Sequence, residues 1–206
     1  MSGVELTPED YHAKLVFADG KMDREFIRSV LKRNLGRHCS VRLFVPDPNF
    51  DAHVVSGGKG LEGVIRFVKS DLDRGERTFI VFVDKEHLTS TVEASVGSMM
   101  RKYGMEPVSS ERIRDSVLGI KGRVGNKEFS MYVVVTGLWC CIEDEILSVL
   151  VDGVEGKSGE GCCDYYKEKS RENGMDPKRS WSNARVSEHF FNKIASILER
   201  LTANTP

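Results

Sequence analysis

Thr78-Phe79-Ile80-Val81-Phe82-Val83-Asp84-Lys85-Glu86 is the stretch on which the fold turns. Phe79 to Val83 is an unbroken apolar run behind the charged segment Asp71-Leu72-Asp73-Arg74-Gly75-Glu76-Arg77. Such a run reads as a short strand buried on both faces, as the centre of a mostly parallel sheet requires. It ends in two carboxylates, Asp84 and Glu86, one residue apart. Ligands of open α/β sheets sit outside the carboxyl ends of such strands. Paired acids there are costly unless they hold a cation or a substrate. The plain alternative is two solvated acids in a strand-to-helix loop, with His87 or Thr89 starting the next helix.

Working outward, Lys14-Leu15-Val16-Phe17-Ala18 is a second apolar run followed by Asp19-Gly20. Phe26, Ile27, Val30, Leu31 and Leu35 then recur at helical spacing, with Asp23 and Glu25 in the first turn, where the helix dipole favours anions. Val41-Arg42-Leu43-Phe44-Val45 reads as a strand broken by Pro46 and Pro48. Ser56-Gly57-Gly58-Lys59-Gly60 opens a helix carrying Leu61, Val64, Ile65 and Val68. It is either a plain turn or a loop that cradles a phosphate, although it lacks the P-loop pattern.

Beyond the central strand, a helix is expected from Leu88 to Tyr103. Two strands around Gly125-Asn126 follow, over 118–124 and 129–136. An acid-rich helix begins at Ile142-Glu143-Asp144-Glu145, another runs from Cys162 to Asn173, and a final amphipathic helix spans Val186 to Leu201. This order predicts an α/β core over 1–136 and a helical C-terminal extension over 137–206 packed on it. The strands at 14–18, 41–45 and 78–83 are expected in one mainly parallel sheet, with Asp19 and Asp84 at the same edge.

A length of 206 residues is that of one domain, and 40% hydrophobic with 30% charged residues is the composition of a soluble globular chain. No apolar run is long enough to span a bilayer and the N-terminal residues lack a leader pattern, which points to the cytoplasm and away from a membrane. A formal net charge of −1 does not advertise a nucleic-acid binder. Lys178, Arg179 and Arg185 are the best basic cluster, and a solvated helix start explains them equally. The cysteines are Cys39, Cys140-Cys141 and Cys162-Cys163. None has C-x-x-C spacing and vicinal cysteines rarely bridge, so all are expected to be reduced and mostly buried. The spacing permits a metal cluster built from the two pairs without asking for one.

The order of these pieces resembles the Toprim domain of topoisomerases, bacterial primases and nucleases of the overcoming-lysogenization-defect type. Val16-Phe17-Ala18-Asp19-Gly20-Lys21-Met22-Asp23 looks like the family's first motif, with Asp19 where a glutamate is usual. Asp84-Lys85-Glu86 stands where the family has Asp-x-Asp. Ser56-Gly57-Gly58-Lys59-Gly60 is similar to a segment of small prokaryotic Toprim-like proteins. The resemblance implies a Toprim/Rossmann-like sheet that binds Mg²⁺ or Mn²⁺ through Asp19, Asp84 and Glu86. Asp19 would also serve in proton exchange, Lys59 would contact phosphate, and Glu143 and Asp144 would supply a second metal position. For Glu143 and Asp144, acids favoured by a helix dipole are the simpler account.

The implied activity is cleavage or transfer at phosphodiesters of DNA or RNA. The alternative is a degenerate module that binds a cation, nucleotide or protein partner without catalysis. A haloacid-dehalogenase-like phosphatase is a third reading, weakened because Leu88 stands where that motif has a hydroxyl.

Overall fold

The computed structural model describes residues 13–18, 21–35, 43–44, 60–175, 180 and 182–203. Its strands are β1 (Ala13–Phe17), β2 (Leu43–Phe44), β3 (Thr78–Asp84), β4 (Glu106–Arg114), β5 (Val117–Val124) and β6 (Lys127–Thr136). Its helices are α1 (Lys21–Leu35), α2 (Gly60–Asp73), α3 (Val92–Lys102), α4 (Ile142–Leu150), α5 (Cys162–Glu172) and α6 (Ala184–Ala203). The strand order is β2-β1-β3-β6-β5-β4.

The sheet is mixed, which corrects the expectation of a mainly parallel one. The β2-β1-β3-β6 pairings are parallel, whereas β6-β5-β4 is an antiparallel meander with registers as long as those of the parallel half. Gly125 between β5 and β6 has φ +56°, a tight turn that antiparallel neighbours require. β4 has no apolar run to betray it. It is an exposed edge strand whose Glu106, Glu111 and Arg112 pair with Arg123, Arg200 and Glu93. Charge of this kind keeps a sheet edge from recruiting another strand.

β3 is buried along both faces, and its period-two alternation sorts its side chains into two cores. Phe79, Val81 and Val83 join Val64, Ile65, Val68, Val96 and Met100 from α2 and α3. Ile80 and Phe82 join Phe26, Ile27 and Val30 of α1 and Phe190, Ile194 and Ile197 of α6. The Phe26 and Phe190 rings meet edge to face at 4.8 Å. Helices α4, through Ile142 and Ile146, and α6 therefore share a core with the sheet, while Cys162 and Tyr166 of α5 pack in a separate cluster with Leu147.

The segment after β3 departs from the expected helix. Lys85–His87 forms a single 3₁₀ turn, and α3 begins only after Thr91, whose hydroxyl accepts from the Ala94 amide at 3.3 Å. That cap shortens the helix and leaves Glu86 and His87 beside the end of the strand.

Candidate functional site

Parallel strands end on one side, so β1, β3 and β6 deliver their last residues to a common edge. There the Ala18 amide donates to the Phe82 carbonyl at 2.9 Å, and the Gly60 amide to the Ala18 carbonyl at 3.1 Å. Gly60 has φ +73° and an added Cβ would lie 2.9 Å from the His87 ring, so only glycine fits where α2 meets this edge. Asp19 and Lys59, the chain neighbours of Ala18 and Gly60, lie outside the described residues, as do Ser56 to Gly58, Lys178 and Arg179.

Asp84 ends β3 opposite Thr136 of β6. Both are buried, at 5% and 4% exposure, and the Thr136 hydroxyl donates to Asp84 Oδ1 at 2.5 Å. A carboxylate this deep needs compensation for the hydration it has lost. Asp84 faces a small depression that Asp23 of α1 also lines, between Phe17, Phe82, Ile27 and Ile142. The depression brings together Asp84 and Asp23. Glu86 lines the adjoining cleft of about 940 Å³, with His87, Arg112, Trp139 and Cys162.

Glu143, Asp144 and Glu145 open α4 but do three different things. Asp144 is fully buried and accepts from the amides of Leu138, Trp139, Cys140 and Cys141, at 2.6, 3.2, 2.6 and 3.0 Å. Three of these amides converge on Oδ2 and one reaches Oδ1, so this carboxylate is committed to the loop it holds. Glu145, equally buried, accepts from the Gly137 amide at 2.8 Å and meets His189 Nε2 at 2.6 Å and the Lys193 ammonium. Burial works to raise its pKa. The His189 hydrogen bond and the Lys193 charge outweigh it and hold the carboxyl below its ordinary value.

These two acids fasten Gly137–Cys141 tightly. Gly137, at φ +87°, has the backbone of Cys141 within 2.6 Å of where a Cβ would sit. The loop is also tied to the end of β3, because the Glu86 amide donates to the Cys140 carbonyl at 2.8 Å and Lys85 to the Leu138 carbonyl at 2.5 Å.

The loop carries two cysteines into contact with the start of α5. Cys140 is bonded to Cys162 and Cys141 to Cys163, which corrects the expectation that these four cysteines are reduced; Cys39 lies outside the described residues. Vicinal cysteines still do not bridge each other. Each bridge joins residues 22 apart, with Cα atoms at 6.1 and 5.8 Å, inside the range a disulfide accepts. Glu86 Oε2 lies 3.3 Å from Cys140 Sγ and 3.8 Å from Cys162 Sγ, and Glu143 Oε2 lies 3.6 Å from Cys163 Sγ. Burial raises the Glu143 pKa, and the charges of Glu86 and Asp144 push the same way against Lys167.

Asp23, Thr136, His189 and Lys193 are the site neighbours that spacing alone conceals. Asp23 reads as an ordinary first-turn acid, and nothing local links Thr136 to Asp84 or α6 to Glu145. Comparison with protein-family models, curated proteins and solved structures finds no match.

Proposed function

We propose that the chain is a Toprim-like module that binds a divalent cation, Mg²⁺ or Mn²⁺, at the carboxyl edge of its parallel strands and through it a phosphate-bearing ligand. One observation carries this reading: Asp84, almost out of water at the end of the central strand, lines a small depression together with Asp23. An oxygen-only ligand set of this kind suits Mg²⁺ or Mn²⁺ over softer ions. Asp19, one residue past Ala18, is the third acid of the reading. Thr136 orients the Asp84 carboxylate by its hydroxyl. Such a cation neutralises a phosphate oxygen and the charge that grows on it in a transition state.

DNA or RNA as the ligand, with its phosphodiester as the reacting group, follows from the Toprim resemblance; the adjoining cleft offers Lys85, His87 and Arg112 among the acids Glu86, Asp115 and Glu160. The test is a nuclease assay on single- and double-stranded DNA and RNA with Mg²⁺, Mn²⁺ or EDTA. Cleavage that needs the ion and vanishes in Asp84→Asn makes the module a nuclease. Metal-dependent binding of nucleic acid or nucleotide without cleavage makes it a binding module. Loss of neither cleavage nor binding in Asp84→Asn overturns both. A cytoplasmic location belongs to the same reading. Among the described residues no helix is long and apolar enough to cross a membrane.

A further inference from the structure

The sulfur cluster between α4 and α5 carries chemistry that the oxygen site does not use. Cys140, Cys141 and Cys162 are buried to 1% exposure or less, yet Glu86 and Cys162 both line the large cleft. A small solute therefore has a route to them. The candidate ligand atoms of Cys140, Cys141 and Cys163 lie within 4.8 Å of one another, and so do those of Glu86, Cys140 and Cys162. The two triads share Cys140.

Adjacent cysteines on a strand would point to opposite faces, but these pairs sit at helix starts. Cys141 is the N-cap of α4, and Cys162 and Cys163 are the first two residues of α5. In α5 successive side chains diverge by about 100° rather than 180°, so Cys162 and Cys163 can face one centre. Cys141, with Cys140 before it, lies on extended backbone just ahead of α4. Two helix N-termini converge on the sulfurs, and their partial positive charge favours thiolates.

The carboxylates give a second, independent sign. A disulfide sulfur has no proton to donate, so Glu86 Oε2 at 3.3 Å from Cys140 Sγ faces lone pairs in the bonded form. The same holds for Glu143 beside Cys163. Either thiol protons or a cation would turn these approaches from repulsive to attractive. A tetrahedral thiolate site needs sulfurs about 3.8 Å apart around an ion with bonds near 2.3 Å. Cys140, Cys141 and Cys163 already lie in one such group, and Cys162, which groups with Cys140 and Glu86, has to swing in once its bridge to Cys140 is open.

We propose that the four cysteines, once reduced, form a tetrathiolate site for a soft or borderline divalent cation such as Zn²⁺, with Glu86 and Glu143 as its outer carboxylates. Opening the two disulfides takes four electrons and four protons, which two molecules of a dithiol supply as they become two disulfides themselves. Binding the ion then releases the four thiol protons to solvent. Disulfides and metal are thus exclusive occupants of one place, and each holds α4 to α5.

Anaerobic Co²⁺ titration tests this on the full chain, after reduction with a phosphine and with the oxidised chain as control. The reduced protein should take up one Co²⁺ with sulfur-to-metal charge-transfer absorption and the visible bands of a tetrahedral ion. Zn²⁺ should bleach both, and the oxidised protein should show neither. Cys162→Ser should weaken binding at least tenfold, as should Glu86→Gln, whose loss is that of an outer-shell partner. The Glu86 variant carries the test if the cysteine variant does not fold. Uptake without sulfur absorption, no uptake, or an unchanged affinity in the variant tested overturns the proposal.

Discussion

Two groups of acids meet at the carboxyl edge of this sheet, and they are built on opposite principles. Asp144 is fully buried and accepts from four backbone amides of the loop it holds. Asp84 is nearly as deep, but lines a depression together with Asp23. Buried charge met by backbone amides is architecture, whereas buried charge at a strand end beside an opening is what the proposed cation site uses. The same contrast runs through donor chemistry. Oxygen ligands gather at Asp84 and sulfur ligands a short way along at Cys140, with Glu86 between the two groups in sequence and in space.

The largest expected effect separates the two buried acids. Asp144→Ala orphans four amides, each bonded to a charged group, and should cost about 4 kcal/mol in urea unfolding. Asp84→Asn should cost less, about 1 kcal/mol, because the amide keeps an oxygen to accept from the Thr136 hydroxyl and the loop amides are held by Asp144 instead. Equal losses would dissolve the distinction between clamp and site.

The sulfur cluster comes next. Reduction in the presence of a chelator should cost about 3 kcal/mol, the chain entropy of a loop of this length. Cys141→Ser with Cys163→Ser should cost far less than that, because the parallel bridge already closes the same loop. Adding Zn²⁺ to the reduced chain should restore most of the loss. A reduced chain as stable as the oxidised one would mean that the bridges hold nothing.

A smaller effect sharpens the comparison through pH. Glu145 has a folded pKa below its ordinary 4.5, so its contribution is present above pH 4.5 and disappears as pH falls through the lower folded value. Glu143 runs the other way. Its folded pKa is raised, so its contribution is present below 4.5 and is lost as pH rises through the higher folded value. Glu145→Gln should therefore flatten the acid limb of a stability profile, and Glu143→Gln should remove a decline above pH 4.5. Identical profiles for the two variants would contradict these environments.

Much of the frame was legible because it is written in local patterns. The run Phe79–Val83 and the spacing of Phe26, Ile27, Val30 and Leu31 state burial directly, and both cores use them as read. β4 was not legible, since Glu106–Arg114 is held by pairing to β5 and by ion pairs rather than by its own apolar content. The sheet is mixed because β6 pairs parallel to β3 and antiparallel to β5, a placement that no local pattern states. At the site, Asp84 could be found by its place at a strand end. Its partner Thr136 lies 52 residues away in sequence, and His189 lies 44 from Glu145. Such pairs follow from strand order and helix docking, which no local pattern encodes. The cysteines mislead for the same reason: their spacing matches no motif, and only the meeting of two helix starts makes them neighbours.

Manganese binding measured by electron paramagnetic resonance on the wild type, Asp84→Asn and Glu86→Gln addresses the central claim most directly. The account predicts that the wild type immobilises one Mn²⁺, that Asp84→Asn weakens this at least tenfold, and that Glu86→Gln, which belongs to the sulfur side, leaves it within threefold, on the roughly 1.4 kcal/mol per decade that separates a lost ligand from a distant charge. Equal Mn²⁺ binding by the wild type and Asp84→Asn would contradict it.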